Sequence, residues 1–177
     1  YVADTGNNQV VALDDQSNVI RVIEKPASEV LEEGFVFEPL KVAVDYADRV
    51  YVIARNMFQG IMTFDSDGNF RGFSGKIEVK ISTYDKIWRK FTTKEQRSKQ
   101  QLFIPTEFTG MEVDQDGFIY ATNVDPQGTQ AIRRLNPKGE DVIRTGPNQQ
   151  LGGDLNFRWS GDYSGASRIE DIVIREN

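Results

Sequence analysis

Tyr1-Val2-Ala3-Asp4-Thr5-Gly6-Asn7-Asn8-Gln9-Val10-Val11-Ala12-Leu13-Asp14 opens the chain, and its reading decides the fold. Shortened echoes follow at Tyr51-Val52-Ile53-Ala54-Arg55 and at Tyr120-Ala121-Thr122-Asn123. A unit that returns at such intervals marks a repeat architecture, because one small unit cannot bury its apolar face alone. Short strands with polar tips point among such architectures to a β-propeller. The expected fold class is therefore all-β.

Each full unit reads as four strands. In the second, Leu40–Asp45 is strand one, with Val42 and Val44 alternating against Lys41 and Ala43. Val50–Ala54, Gly60–Asp65 and Phe70–Phe73 follow as strands two to four. The Asp67-Gly68 step between the last two is a strong hairpin signal, since glycine accepts the positive φ of a tight turn. The third unit repeats the scheme with Gly110–Asp114, Phe118–Asn123, Gln130–Leu135 and Glu140–Arg144. The first has only Tyr1–Asp4, Gln9–Leu13 and Val19–Ile23, its strands two to four. Arg168–Ile174 reads as strand one of a further unit. Repeats of about 1–50, 51–119 and 120–177 thus form part of one propeller, cut between strands one and two.

Propellers have four to eight blades. Three are too few for a ring, and an open wedge exposes apolar faces and a strand edge. Two expectations follow. The chain begins inside a motif without an initiator Met, as a piece of a longer precursor would; or two copies close a six-bladed ring head to tail as a homodimer, each donating Arg168–Ile174 to the other.

Composition removes several functions. The net charge is −6, against sequence-independent nucleic-acid binding, which needs a basic surface. With no His and no Cys, Ser-His-Asp and Cys-His catalysis, histidine metal sites and disulfides are excluded. No apolar run reaches the roughly 18 residues that would span a bilayer.

The segment Tyr1 through Asn8 resembles the NHL repeat, whose consensus runs tyrosine-valine-alanine-aspartate and then threonine-glycine-asparagine-asparagine. Gln9 stands where the family usually has arginine, and the copies at Tyr51 and Tyr120 lose the Asp-Thr-Gly-Asn core. Thr83–Gln101, followed by Phe103-Ile104-Pro105-Thr106-Glu107-Phe108, is similar to a group of exported or membrane-anchored NHL-repeat proteins of Gram-positive bacteria. The resemblance implies an extracytoplasmic six-bladed propeller, secreted or membrane-anchored in full length, and no established activity.

A short helical insertion is expected at 76–104. Tyr84, Ile87, Trp88 and Phe91 recur at helical spacing, and Thr92 with Glu95 forms a capping box. Eight basic residues oppose Glu78, Asp85 and Glu95 here, so the insertion carries +5 and the rest of the chain −11. Packing of the apolar face on the propeller, with the basic face solvated, accounts for this pattern. It also suits docking to a protein partner, a cell-envelope component or an anionic membrane surface through Trp88, Arg89, Lys90, Phe91, Lys94 and Arg97. The Gly-, Asn- and Ser-rich stretch Gly146–Gly165 is too long for a tight hairpin, and Trp159 and Tyr163 make it a candidate ligand loop.

The turns at Asp65–Gly68 and Asp114–Gly117 hint at calcium but lack the further ligands of an EF-hand loop, so they read as hairpin tips. Asp4, Asn7 and Asn8 read as structural turn residues. The leading expectation is a non-catalytic binding or scaffold propeller needing no cofactor. The rival is a gluconolactonase-like hydrolase with a divalent cation in the axial channel, which oxygen ligands alone can hold. Val42, Val44, Met111, Val113, Ile172 and Ile174 dominate the strands expected to face the axis, leaving Glu112, Glu170 and Asp171 as convergent acids. RNA binding would rest on the Lys/Arg-rich insertion alone and would be lost on neutralising Lys90, Lys94 and Arg97.

Overall fold

The computed structural model describes residues 1–31, 33–75, 107–124, 131–143 and 169–175. Within them, ten strands form three antiparallel sheets, each wound in chain order. The first holds β1 (Val2–Asp4), β2 (Gln9–Leu13) and β3 (Val19–Ile23). The second holds β4 (Pro39–Val44), β5 (Val50–Ala54), β6 (Ile61–Phe64) and β7 (Phe70–Ser74). The third holds β8 (Glu107–Val113), β9 (Ile119–Val124) and β10 (Ile132–Leu135). The architecture is all-β, and the strands expected from the repeat lie within a few residues of those found.

The chain reverses five times through the same loop, at Asp14–Asn18, Asp45–Arg49, Asp65–Asn69, Asp114–Phe118 and Asn136–Glu140. In each, the first residue's Oδ1 accepts the N–H groups two and four positions on, at 2.8–3.0 Å. Its own N–H donates to the carbonyl of the fifth residue. The fourth residue is left-handed: Ser17, Asp48, Gly68, Gly117 and Gly139. This is the three-residue hairpin loop, a type I turn followed by an αL residue, with an aspartate or asparagine side chain bracing it. Of the acids in the two calcium-like turns, Asp65 and Asp114 are therefore hairpin braces, and Asp67 and Asp116 donate their backbone N–H groups to them. Within each sheet the strands before these loops run the same way, so a sheet's braced loops share one end, its turn end. The last loop reaches the far end of the second sheet, where the Gly139 carbonyl accepts the Gly75 N–H at 2.9 Å.

Side chains alternate faces along a strand, and β5 uses both. Val50, Val52 and Ala54 pack with Val10 and Ile23 of the first sheet, together with Phe37, Met62 and Phe64. Tyr51 and Ile53 pack with Ile61 and with Phe108, Met111, Ile119, Ala121 and Leu135 on the other side. Phe37, Phe64, Phe70 and Phe73 form a chain of tilted and edge-on rings 5.3–6.1 Å apart, a geometry aromatic quadrupoles favour. The first strand β4 lies beside β1 on one side and β8 on the other.

Val42 and Val44 pack against the core between the first and second sheets, and Met111 and Val113 against the next. Two expectations change. Arg168–Ile174 was expected as a strand, but Ile169–Arg175 joins no ladder. Apolar alternation supplies a face, whereas a ladder also needs a partner edge in register. The segment is held instead by Thr109, whose hydroxyl donates to the Ile169 carbonyl at 2.7 Å. Gly110 permits the approach, since a Cβ there would lie 2.6 Å from the Asp171 Cα. Of Glu140–Arg144, the described residues form a single bridge between Asp141 and Leu135. The insertion at 76–104 and the loop Gly146–Gly165 lie outside the described residues.

Truncating a ring sealed between sheets leaves a cavity. Phe64→Ala should lower stability by about 3–5 kcal/mol in urea unfolding, whereas Val22→Ser, on an exposed face, should change it by no more than about 0.5 kcal/mol.

Candidate functional site

Where β4 and β8 run side by side to the turn end, they enclose a cavity of about 370 Å³. Val44, Val113 and Ile174 give it apolar walls; Asp45, Tyr46, Glu112, Asp114 and Gln115 give it polar ones. The braced loops after β4 and β8 place these polar groups, so the rim is built from two copies of the same turn.

Asp45 is the most heavily bonded of them. Buried at 7% exposure, it accepts the Ala47 and Arg49 N–H groups on Oδ1 and the Arg49 guanidinium and the Tyr51 hydroxyl on Oδ2, at 2.7–3.0 Å. Burial pushes its carboxyl upward, but the bonds to Arg49, Tyr51 and Ala47 outweigh it and hold the group below its ordinary value. Tyr51 is pushed up to about 12, first by burial and then by its bond to Asp45. It therefore stays a hydrogen-bond donor at any ordinary pH. The Arg49 guanidinium also lies close to Gly117 in the matching turn of the third sheet, so this knot spans both sheets.

Asp114 braces its own turn and has Arg134 Nη2 at 4.0 Å. Arg134 in turn stacks over the Phe118 ring, 4.0 Å from its centroid. Lys41 on β4 pairs with Asp171 at 2.7 Å, and that hydrogen bond, outweighing slight burial, lowers the Asp171 carboxyl. Both side chains are substantially exposed, so the pair fixes the segment's position and adds little to stability. Glu112 lies exposed on β8, cross-strand from Tyr120. Tyr46 stands 80% exposed at the rim. The cavity thus presents one open carboxylate, an amide and an aromatic ring over an apolar wall, which equips it to recognise a ligand by contact and hydrogen bonding.

Asp4, Asn7 and Asn8 behave as turn residues. Asp4 accepts the Asn7 N–H, its side-chain amide and the Gln9 amide at 2.8–3.2 Å, and Asn8 is left-handed. Bonds to the Asn7 side chain first and Gln9 next hold the Asp4 carboxyl below its ordinary value. Thr5 anchors this short 3₁₀ turn to the Pro39 carbonyl of β4. Of the three acids singled out from sequence, Asp171 reaches Lys41 and Glu112 faces the cavity, while the Glu170 backbone lies against Gly110. Among the described residues no three His, Cys, Asp or Glu side chains form a metal-binding group, and no helix is long and apolar enough to cross a membrane.

Trp88, Arg89, Lys90, Phe91, Lys94, Arg97, Trp159 and Tyr163 lie outside the described residues. Of the residues flanking the insertion, Gly75 after β7 donates its N–H to the Gly139 carbonyl at 2.9 Å, and Glu107 opens β8 at the end away from that strand's braced loop. Sequence reasoning missed Lys41, Asp45, Tyr46 and Tyr51. The signal open to it was the Asp or Asn that opens each five-residue turn, three residues before the left-handed position. A comparison with protein-family models finds no family that matches, and a search of curated proteins finds no match.

The sign of the Asp45 effect follows from its lowered pKa. The carboxylate contributes stability fully above the unfolded value near 3.8, and this is lost as the pH falls through the folded value. Asp45→Asn should cost about 2–4 kcal/mol at pH 7, reduced from a fully buried pair because Arg49 is partly exposed. Urea unfolding of the variant between pH 7 and pH 2 should show a correspondingly shallower acid loss.

Proposed function

We propose that this chain is part of an NHL-type β-propeller, six-bladed in its parent protein, that acts as a non-catalytic binding or scaffold module outside the cytoplasm. Register equivalence between the sheets supports the propeller. Aligning Tyr1, Tyr51 and Tyr120 makes Val2, Val52 and Ala121 equivalent. Val52 packs toward the first sheet and Ala121 toward the second, so each rests on the sheet before it. Val2 continues in a cross-strand row through Val11 and Val22, and Val2 and Val22 are 47% and 43% exposed. That apolar row is the face on which a preceding blade, from the parent chain or a second copy, would pack.

The observation that carries the binding role is the state of the cavity's acids. Asp45 and Asp114 brace their turns and lie beside arginines, and Asp171 nearby is paired with Lys41. Groups fixed in this way are preorganised for contact and poorly placed to take up protons during a reaction. A partner protein or envelope component is the proposed ligand, with the basic insertion as a second contact. The extracytoplasmic setting rests on the resemblance. Glu112, open to the cavity, favours one competing reading, a metal-dependent lactonase.

Two measurements separate these. A cell-envelope partner retained by the immobilised chain should be lost on Tyr46→Ala with Glu112→Lys, while the far-ultraviolet spectrum stays unchanged. Glucono-δ-lactone with Ca²⁺, Mg²⁺ or Zn²⁺ should be hydrolysed no faster than in the blank. Turnover abolished by Glu112→Gln would replace the binding role with the hydrolase.

A further inference from the structure

A second cavity, of about 290 Å³, opens at the end of the second sheet opposite that sheet's own two braced turns. One wall comes from the connection into β4, with Phe35, Val36 and Glu38; the other comes from the loop after β5, with Arg55–Gln59. Met57, 7% exposed and part of the core, anchors the second wall from below. Phe58 and Val36 leave large apolar side chains exposed at the opening, 38% and 53%. Asn56 is held left-handed, at φ 57°.

The chemistry of the lining narrows the ligand. Charge is nearly balanced, because Arg55 pairs with Glu38 at 2.9 Å and leaves Glu33 as the one further ion in the lining. An ionic ligand would find little net field here. Backbone recognition is also restricted, since the walls bond to themselves: Arg55 N–H to the Glu38 carbonyl at 2.9 Å, Glu38 N–H to Val36 at 3.1 Å and Met57 N–H to Ala54 at 3.3 Å. An extended peptide added as a strand needs such groups free. What the walls offer is side-chain amides from Asn56 and Gln59, each both donor and acceptor, a planar guanidinium and an exposed phenyl ring.

Those are the groups that suit a sugar. Its C–H face lies against an aromatic or thioether surface, and its adjacent hydroxyls, each donor and acceptor at once, match amides and a guanidinium–carboxylate pair. We propose that this cavity binds a neutral polyhydroxylated ligand of mono- or disaccharide size. The cavity stands at the low end of the volumes that hold small molecules. This site is separate from the cavity between β4 and β8 and does not depend on its role.

Saturation-transfer NMR on the whole chain with glucose, N-acetylglucosamine, maltose and cellobiose tests it. At least one sugar should show transfer at millimolar concentration, with affinity lowered about tenfold or more by Phe58→Ala and by Asn56→Gly. Asn56→Gly removes the amide while keeping the left-handed backbone available, so its fold should survive. Tyr46→Ala, in the other cavity, should leave binding unchanged. No transfer from any of the four sugars at tens of millimolar, or transfer indifferent to both Phe58→Ala and Asn56→Gly, would overturn the proposal.

Discussion

The structure depends on β5 being buried on both faces. Val50, Tyr51, Val52, Ile53 and Ala54 are each at most 5% exposed, so this one strand is a core residue set for two neighbouring sheets at once. A strand in that position has no solvent face to receive polar residues, which is why it reads as a continuous β-branched and aromatic run. Its one hydroxyl, on Tyr51, has to find an acceptor, and Asp45 supplies it. The most apolar strand thereby dictates the most polar knot: a buried phenol requires a partner, a buried carboxylate requires a cation, and Arg49 closes the set.

The two ends of the sheets consequently differ in kind. At the turn end of each sheet, Asp or Asn braces the loops, leaving short, tightly bonded tips. The connections from one sheet to the next are long: residues 24–38 lead into β4, and residues 75–106 lead into β8. Rigid tips place Tyr46 and Gln115, and β8 places Glu112, around a cavity between β4 and β8. The connection into β4 and the loop Arg55–Gln59 build a smaller pocket from side-chain amides and apolar groups. A tight loop fixes a few groups well, and a long loop varies more freely, so recognition of different ligands at the two ends follows from the same strand pattern.

The repeat made much of the fold legible. Val50–Ala54, Gln9–Leu13 and Val19–Ile23 were readable to the residue, because β-branched alternation and adjacent turn residues bracket them. Val42, Val44, Met111 and Val113 were harder. Their alternation tells which residues share a face, but not whether that face meets an axis or another sheet. Arg168–Ile174 failed for a related reason. Its pattern resembles a strand, yet Thr109, Gly110 and Lys41 hold it where it makes no ladder. Of the candidate site, Glu112 and Asp171 were visible as acids near the inner strands, while Lys41 and Tyr46 were not: their roles come from neighbours 130 and about 70 residues away in sequence.

By itself the sequence determined the all-β class, the strand periodicity and the turn chemistry, because all three rest on interactions within a few residues. Missing histidine and cysteine likewise limited the available chemistry without any coordinates. Only the tertiary structure decided which faces meet and which acids are held. It brought Lys41 to Asp171, laid Arg49 beside Gly117 of the next sheet, and faced the loop Arg55–Gln59 with Phe35, Val36 and Glu38. Those outcomes join segments far apart in the chain, and such joining is governed by long-range packing that no local spacing encodes.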